Sequence, residues 1–183
     1  MNLPKLVVLT GRPGSGKTTL AEILSKETHC PVLIRDKFKE GYVNTTGIDH
    51  KSLGPDINRK IYEIFFNTVE VMLKNDISLI VEAAFQHNLW ETKLNQLSKI
   101  SKISIIVCSV DPETARSRII ERGRLDPSRE KYHGDRANLI VKNDKEIQLP
   151  DYQPPKLSFP TLNVDCSNGY QPELVNILNF INL

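Results

Sequence analysis

The chain has few of the residues that cross-link or anchor proteins. It contains only three cysteines in 183 residues, Cys30, Cys108 and Cys166. An odd number of cysteines, at spacings that fit no metal motif, argues against both a disulfide framework and a zinc site. The sequence also has no apolar run long enough to span a membrane, and its first residues lack the apolar core of a signal peptide. We therefore expect a reduced, cytoplasmic protein without a membrane partner.

Net charge is also small. Lysine and arginine number 24 and aspartate and glutamate 22, for a formal charge of +2. No strong overall field would draw the protein to nucleic acid or to a membrane surface, so its basic residues would have to be concentrated locally to matter. The length and the 39% hydrophobic content suit one domain with a real core, and we expect a single domain over residues 1–183.

A glycine-rich motif lies near the start of the chain. Residues 11–18 are Gly-Arg-Pro-Gly-Ser-Gly-Lys-Thr, which matches the phosphate loop G-x-x-x-x-G-K-[ST]. An apolar β-type run precedes it and a helical pattern follows, so backbone N–H groups and a helix N-terminus can surround a polyphosphate. We expect Lys17 to reach the β- and γ-phosphates of ATP and Thr18 to ligate Mg²⁺. The predicted nucleotide-binding residues are Gly11, Arg12, Pro13, Gly14, Ser15, Gly16, Lys17, Thr18 and Thr19.

Short apolar runs alternate with helical patterns along the chain. The runs are residues 5–10, 31–34, 77–81, 103–110 and 161–164. They are rich in Val, Ile and Leu and nearly continuous, as in strands buried on both faces of a parallel sheet. Helical crossovers between them predict a three-layer α/β fold. Residues 39–55 and 123–160 fit no element, and we interpret them as lids or binding loops, or as solvated connection over 143–160.

Two acidic residues follow predicted strands, at the sheet edge where ligands bind in doubly wound folds. Asp36 could accept the proton of an acceptor hydroxyl as the phosphoryl group transfers. Alternatively, it caps a short helix that begins at Lys37. Glu82 could hold Mg²⁺, directly or through water, or contact the substrate. The remaining alternative for Glu82 is an acid at the rim with no role.

Positive charge is densest between residues 116 and 136, where seven basic side chains face four acidic ones. Arg118 and Arg122 share one helix face. Together with Arg124, they are candidates for stabilising a transferring phosphoryl group from a closing lid. The alternative is a solvated helix end. His133 stands alone in the same polar segment, and we expect it to be exposed to solvent and give it no role.

These features together resemble the small P-loop kinases of the AAA type, a group that includes zeta-toxin-like kinases, chloramphenicol phosphotransferase and the kinase domain of polynucleotide kinases. The resemblance covers residues 5–181. It implies a P-loop NTPase fold with a five-stranded parallel sheet in the order 2-3-1-4-5, an arginine-rich lid at about 116–136 and an acceptor pocket near residues 38–60 and 82–90. It also implies ATP, Mg²⁺ and Asp36 as proton acceptor. The segment Glu82-Ala83-Ala84-Phe85 departs from an acid-rich metal signature.

Three functions remain open at this point. The leading hypothesis is ATP-dependent phosphate transfer to a hydroxyl of a small molecule, by a monomer or a homodimer. A 5′-hydroxyl kinase of nucleic-acid ends is less favoured, because the modest charge offers few phosphate contacts. The third is a nucleotide-binding regulator with slow hydrolysis. GTP is disfavoured because residues 108–111, Cys-Ser-Val-Asp, lack the Asn-Lys-x-Asp guanine signature.

Overall fold

A computed structural model describes residues 3–84, 87–133 and 157–182. In these residues five parallel strands form one sheet, in the order β2-β3-β1-β4-β5. The strands are β1 Lys5–Gly11, β2 Val32–Ile34, β3 Leu79–Glu82, β4 Lys102–Ser109 and β5 Thr161–Asp165. The predicted α/β fold and the sheet order implied by the resemblance are both confirmed.

Helices connect the strands on both sides of the sheet. They are α1 Lys17–Thr28, α2 Arg35–Thr46, α3 Pro55–Lys74, α4 His87–Leu97, α5 Pro112–Leu125, α6 Arg129–His133 and α7 Leu174–Ile181, with a 3-10 turn at His50–Ser52. The start of α5 is fixed by its N-cap, because Asp111 accepts a hydrogen bond of 2.8 Å from the backbone N–H of Thr114. Within the described ranges, no helix combines the length and the apolar character needed to cross a membrane.

Two hydrophobic layers enclose the sheet, and β1 contributes to both. Leu6 and Val8 pack into a layer with the aromatic residues of α3 and with Trp90 of α4. Val7 and Leu9 pack on the opposite face, in the layer that contains the apolar residues of α1 and α7. Side chains alternate across a strand, so a strand covered on both faces must be apolar throughout. This explains the continuous run in the sequence.

The register of the strands brings the polar residues to one edge. Glu82 at the end of β3 lies opposite Leu9 of β1 and Ile34 of β2. The phosphate loop therefore leaves β1, and α2 leaves β2, beside Glu82. The carboxyl edge of the sheet gathers the residues that the sequence predicts for the site.

The segment 39–55 is more regular than the sequence suggests. Helix α2 runs from Arg35 to Thr46 and ends at Gly47, whose φ of 72° is left-handed. The N-cap of α2 is Ile34 and Asp36 lies in its first turn. The alternative that Asp36 caps a helix beginning at Lys37 is therefore wrong.

The segment 123–160 is also partly helical. Helix α5 continues past Gly123 to Leu125, and α6 follows at Arg129–His133. Residues 134–156 lie outside the described part of the chain, and so do the end of the predicted lid and most of the segment interpreted as solvated connection. Phe85 lies outside it as well. That residues 1–183 form one domain with a lid at about 116–136 stays a prediction.

Candidate active site

The phosphate loop connects β1 to α1 and is held close to α5. Gly14 has a φ of +83°, and a Cβ atom there would lie 2.5 Å from the carbonyl oxygen of Ala115 in α5. Gly16 is the N-cap of α1, also with a left-handed φ. Since glycine offers no side chain as a cap, the N–H groups of the first turn remain available to a phosphate. The loop therefore fits a polyphosphate both in backbone shape and in its free donors.

The other predicted nucleotide-binding residues surround these glycines. Pro13 and Thr19 are exposed at the rim of the loop, whereas Ser15 is fully buried. The backbone N–H of Ser15 donates to the carbonyl oxygen of Arg12 at 3.2 Å, which closes the loop on itself. Nη1 of Arg12 is buried and makes no hydrogen bond to a described residue.

Replacing Gly14 with alanine is expected to destabilise the protein and to weaken nucleotide binding. The left-handed conformation alone costs a side-chain-bearing residue about 1–3 kcal/mol, and the backbone oxygen of Ala115 cannot move aside without shifting α5. Gly41→Ala is the matched control: Gly41 lies inside α2, and a Cβ there meets nothing within 4 Å. That control should gain about 0.5–1 kcal/mol in a helix interior. Melting curves with and without Mg²⁺-ATP measure both effects, and equal behaviour of the two variants would contradict the assigned role of Gly14.

Lys17, Thr18 and Glu82 meet below the loop. Thr18 Oγ1 donates to Glu82 Oε2 at 3.0 Å, and Lys17 Nζ lies 3.7 Å from Glu82 Oε1. Lys17 Nζ also donates to the carbonyl oxygen of Arg12 at 3.4 Å. Burial raises the pKa of Glu82, and the negative charge of Asp36 adds to this, while Lys17 and the hydrogen bond from Thr18 oppose it. The predicted metal residues and the predicted phosphate-binding lysine are therefore brought together.

The oxygen atoms of Thr18 and Glu82 fit Mg²⁺, which prefers hard oxygen ligands and few protein groups. In the described segments, no group of three or more His, Cys, Asp and Glu side chains could hold a metal ion. A magnesium ion would therefore be held by these two side chains together with water and phosphate oxygens.

Asp36 faces the same edge from α2. Its carboxylate lies 3.1 Å from Nη1 of Arg35, and its side chain is 55% exposed. Partial burial would raise the pKa of Asp36, but the positive charges of Arg35, His133 and Lys17 outweigh it and hold the pKa below its usual value. The carboxylate is therefore ionised at neutral pH. Asp36 lies two residues beyond Ile34, which is opposite Glu82 in the sheet register, so Asp36 and Glu82 lie at the same edge of the sheet.

Arg118 joins the phosphate loop to the segment after β5. Its Nη2 donates to the carbonyl oxygens of Cys166 and Ser167 at 2.9 and 3.0 Å. Its Nη1 lies 3.5 Å from the carbonyl oxygen of Gly14. These contacts anchor the guanidinium between the phosphate loop and the segment after β5.

A cleft of 440 Å³ opens beside Arg118. Its lining consists of Gly14, Gly16, Ser117, Arg118, Glu121 and Arg122. The structure therefore brings Arg118 and Arg122 to the phosphate loop. Arg124 instead pairs with Glu121 at 2.7 Å, and its side chain is 71% exposed. The catalytic roles of all three arginines stay predictions.

Helix α6 packs on α2 and the 3-10 turn. His133 Nε2 lies 2.9 Å from Glu40 Oε1 of α2, and Glu130 lies 3.0 Å from Lys51 Nζ of the 3-10 turn. The side chain of His133 is only 12% exposed, so the expectation that it faces solvent is wrong. Its partner Glu40 is remote in the sequence, and no local pattern could have indicated the contact.

Sequence reasoning also missed two buried basic residues. Arg35 and Lys39 are 9% and 5% exposed, and both lie on α2 beside Asp36. Their spacing of four residues would place them on one face of a helix. The sequence hides that signal because Lys39 opens the polar, glycine-bearing segment 39–55, whose composition predicts a loop.

Residues 6–139 match the family described as an AAA domain, AAA_33. The chain belongs to this family. An adenylate kinase of Nitratiruptor is 27% identical to this AAA-domain protein over 163 residues, 80% of this chain and 81% of that protein. A UPF0200 protein of Sulfurisphaera tokodaii is 27% identical over 133 residues, 69% of this chain and 71% of that protein.

Solved structures show the same fold. A protein of Chloroflexus aurantiacus described as a candidate kinase superimposes on this AAA-domain protein with a TM-score of 0.77, at 23% identity, over 99% of this chain and 96% of that one. The APS kinase of Mycobacterium tuberculosis, solved with AMPPNP and APS, superimposes with a TM-score of 0.65, at 16% identity, over 100% of each chain. The fold is therefore that of the P-loop kinases.

Proposed function

We propose that this protein is an ATP-dependent phosphotransferase that moves the γ-phosphate to a hydroxyl group of a small-molecule acceptor. The observation that carries the proposal is the position of Asp36 in the first turn of α2, two residues beyond Ile34, which lies opposite Glu82 in the sheet. A carboxylate that acts as a general base would serve transfer to a hydroxyl and contribute little to holding ATP. The kinases among its relatives and structural neighbours support the same conclusion.

The phosphate loop would hold the triphosphate through its backbone N–H groups, and Lys17 would balance charge on the β- and γ-phosphates. Thr18 and Glu82 would hold Mg²⁺, whose bound form supplies charge neutralisation between the phosphates. The nucleotide base would lie in the cleft beside Arg118, because that cleft adjoins Gly14 and Gly16 of the loop.

Asp36 would accept the proton of the acceptor hydroxyl as the oxygen attacks the γ-phosphorus. Arg118 and Arg122, which line the cleft beside the loop, would stabilise charge on the phosphates. Arg124 would have to leave Glu121 to take part. We propose that residues 116–136 act as the lid of a single domain, and that the enzyme works as a monomer or a homodimer.

The direct test is transfer of labelled γ-phosphate from ATP into a panel of sugars, nucleosides, antibiotics and 5′-hydroxyl oligonucleotides. A labelled small molecule supports the proposal. Labelling of the oligonucleotides alone would favour the polynucleotide kinase alternative. Slow ATP hydrolysis with no labelled acceptor would favour the regulator.

Glu82→Gln is expected to reduce Mg²⁺ affinity in the nucleotide complex by about 10–100-fold, the range for groups that hold or orient a metal ligand. The pKa of Glu82 is higher in the folded state than in the unfolded state. Above its folded-state pKa the ionised Glu82 therefore lowers the stability of the fold, and this cost disappears as pH falls. The ligand-free variant should therefore melt higher than wild type at pH 8, with the gain shrinking towards pH 4. Melting with ATP in Mg²⁺ or in EDTA measures both effects.

The matched control is Glu70→Gln, since Glu70 lies on the surface of α3, 2.6 Å from Lys74. It should leave the Mg²⁺-dependent part of the melting shift unchanged. An unaltered Mg²⁺ dependence in Glu82→Gln would remove Glu82 from the proposed metal site.

A further inference from the structure

Arg35 is a buried arginine that contacts Asp36 in the first turn of α2. The residue is 9% exposed, whereas the side chain of Asp36 is 55% exposed. Nη1 of Arg35 donates to Asp36 Oδ1 at 3.1 Å. Consecutive residues of a helix do not normally face each other. Helix spacing alone therefore does not bring these two groups together, and other contacts must hold the arginine in place.

Helix α3 supplies those contacts. Nη2 of Arg35 donates to Asn58 Oδ1 at 3.4 Å, and Cζ lies 4.3 Å from the centroid of the Tyr62 ring. The amide of Asn58 is itself oriented, because its Nδ2 donates to the carbonyl oxygen of Gly54 at 3.2 Å. The Tyr62 ring is buried and stacks on Phe66 in the core. The guanidinium is therefore fixed by a second helix, independently of Asp36.

The carboxylate of Asp36 is held through one of its two oxygens. The hydrogen bond and the ion pair with Arg35 both involve Oδ1. A bidentate arginine pair would occupy both oxygens, but in the described part of the chain no hydrogen bond reaches Oδ2. A half-exposed carboxylate would otherwise sample several rotamers. The contact with Arg35 therefore restricts the carboxylate and leaves one oxygen available to a hydroxyl group.

We propose that Arg35 is the positioning residue of the base: it holds Oδ1 of Asp36 so that Oδ2 faces the acceptor hydroxyl. This inference rests on the proposed phosphotransferase function and deepens it. As the hydroxyl oxygen bonds to the γ-phosphorus and the bond to the β–γ bridging oxygen breaks, the proton moves to Oδ2 and ADP is released. Arg35 cannot take that proton, because a guanidinium stays charged in proteins. The half-exposed carboxylate then returns the proton to solvent.

Arg35→Gln is expected to lower kcat by about tenfold to 10²-fold, because misplacing a reacting group by about 1 Å can cost 10²-fold. The KM for Mg²⁺-ATP should stay within about a few-fold, since the contacts of Arg35 do not include the phosphate loop. Rates are measured on the full chain with Mg²⁺-ATP and the compound of the labelling panel that wild type labels fastest. Lys37→Gln is the matched control, because it removes the same charge from the same helix at a side chain that is 62% exposed.

A double-mutant cycle separates positioning from a merely structural role. In the Asp36→Asn background, Arg35→Gln should change kcat by less than about threefold, because no base remains to be positioned. A structural role would cost the same factor in both backgrounds. If Arg35→Gln does not fold, Arg35→Lys takes its place: it keeps the charge but loses the fork that reaches Asp36 and Asn58 together. It should lower kcat by about threefold or more when Asp36 is present and leave the rate of Asp36→Asn unchanged.

The pH dependence of kcat is the second readout. Partial burial raises the pKa of Asp36, but the charge and the hydrogen bond of Arg35, together with His133 and Lys17, hold the pKa below its usual value. Charged and titratable groups from other elements also interact with Asp36: Lys17 of α1, Tyr62 of α3, Glu82 of β3 and His133 of α6. Removing the charge of Arg35 should raise this pKa, so the base is protonated at a higher pH. The acid limb of kcat should therefore move to higher pH in Arg35→Gln and stay in place in Lys37→Gln.

An unchanged kcat in the Arg35 variant, an equal loss in both backgrounds of the cycle, or an acid limb that does not move would each overturn the inference. The same experiment separates it from the proposed function. If wild type labels no compound of the panel, the phosphotransferase function fails and this inference fails with it. If wild type transfers phosphate and Asp36→Asn is as fast, the base and its positioning residue are both wrong and the kinase remains. If only the cycle is additive, Arg35 alone is wrong.

Discussion

Lys17→Ala is expected to remove most of the thermal stabilisation that Mg²⁺-ATP gives the protein. A ligand present at about 100 times its Kd stabilises the folded state by about 2.7 kcal/mol. For a chain of this size, 1 kcal/mol corresponds to a shift of about 2–4 °C in Tm. Lys17 is half-buried below the phosphate loop, near the carbonyl of Arg12 and the carboxylate of Glu82. The Lys17 ammonium lies beside the proposed metal site, so the loss of triphosphate affinity should be large.

The measurement is the melting temperature with and without Mg²⁺-ATP, supported by calorimetry with ATP, ADP and GTP. Lys26→Ala is the control, because Lys26 lies exposed in the last turn of the same helix. It should bind nucleotide as wild type does. If wild-type protein binds none of the three nucleotides, the kinase proposal fails as a whole. If Lys17→Ala keeps the full shift, the phosphate loop is not where ATP binds.

The sheet was predictable because its signals are local. A run such as Leu6 to Leu9 is apolar at every position, and only a strand covered on both faces needs that pattern. The phosphate loop is equally local, since its glycines adopt left-handed conformations that other residues rarely adopt. The order of the strands came instead from the resemblance to P-loop kinases, because nothing in a single strand specifies its neighbours in the sheet.

Helix α2 was missed because two of its three buried residues are basic. The buried residues are Arg35, Lys39 and Val43. Hydrophobic periodicity identifies a helix by its apolar face. A helix face that buries an arginine and a lysine lacks that apolar pattern in the sequence. The same error hid the burial of Arg35 and Lys39, so a mistake in secondary structure became a mistake about the site.

The two acidic residues of the site were predicted from topology, whereas the sequence could not show which arginines lie at the phosphate loop. Asp36 and Glu82 each follow a strand, so their place at the carboxyl edge follows from a parallel sheet. Arg118 and Arg124 lie in one charged helix, and the sequence around the two residues is alike in composition. Their difference appears only in three dimensions, since Arg118 reaches backbone carbonyls after β5 and Arg124 pairs with Glu121 on the surface.

Asp36→Asn separates a kinase from a passive nucleotide-binding protein. The amide keeps the shape of the carboxylate and can still accept a hydrogen bond from Arg35, but it cannot serve as a base. Transfer to the acceptor hydroxyl should fall by ~10²–10⁴-fold, the range for a positioned acid or base. Affinity for Mg²⁺-ATP should stay within about a few-fold, because phosphate binding is carried mainly by the loop, Lys17 and the metal site.

The matched control is Asp56→Asn. Asp56 is exposed in the first turn of α3, as Asp36 is in the first turn of α2, so both substitutions remove a charge that interacts favourably with a helix N-terminus. Any effect of that charge on helix stability should appear in both variants, whereas the loss of transfer should appear in Asp36→Asn alone. Initial rates of label transfer and calorimetric ATP affinities are the two readouts. If Asp36→Asn loses ATP binding and transfer to the same degree, Asp36 holds structure or metal and the base must be another residue.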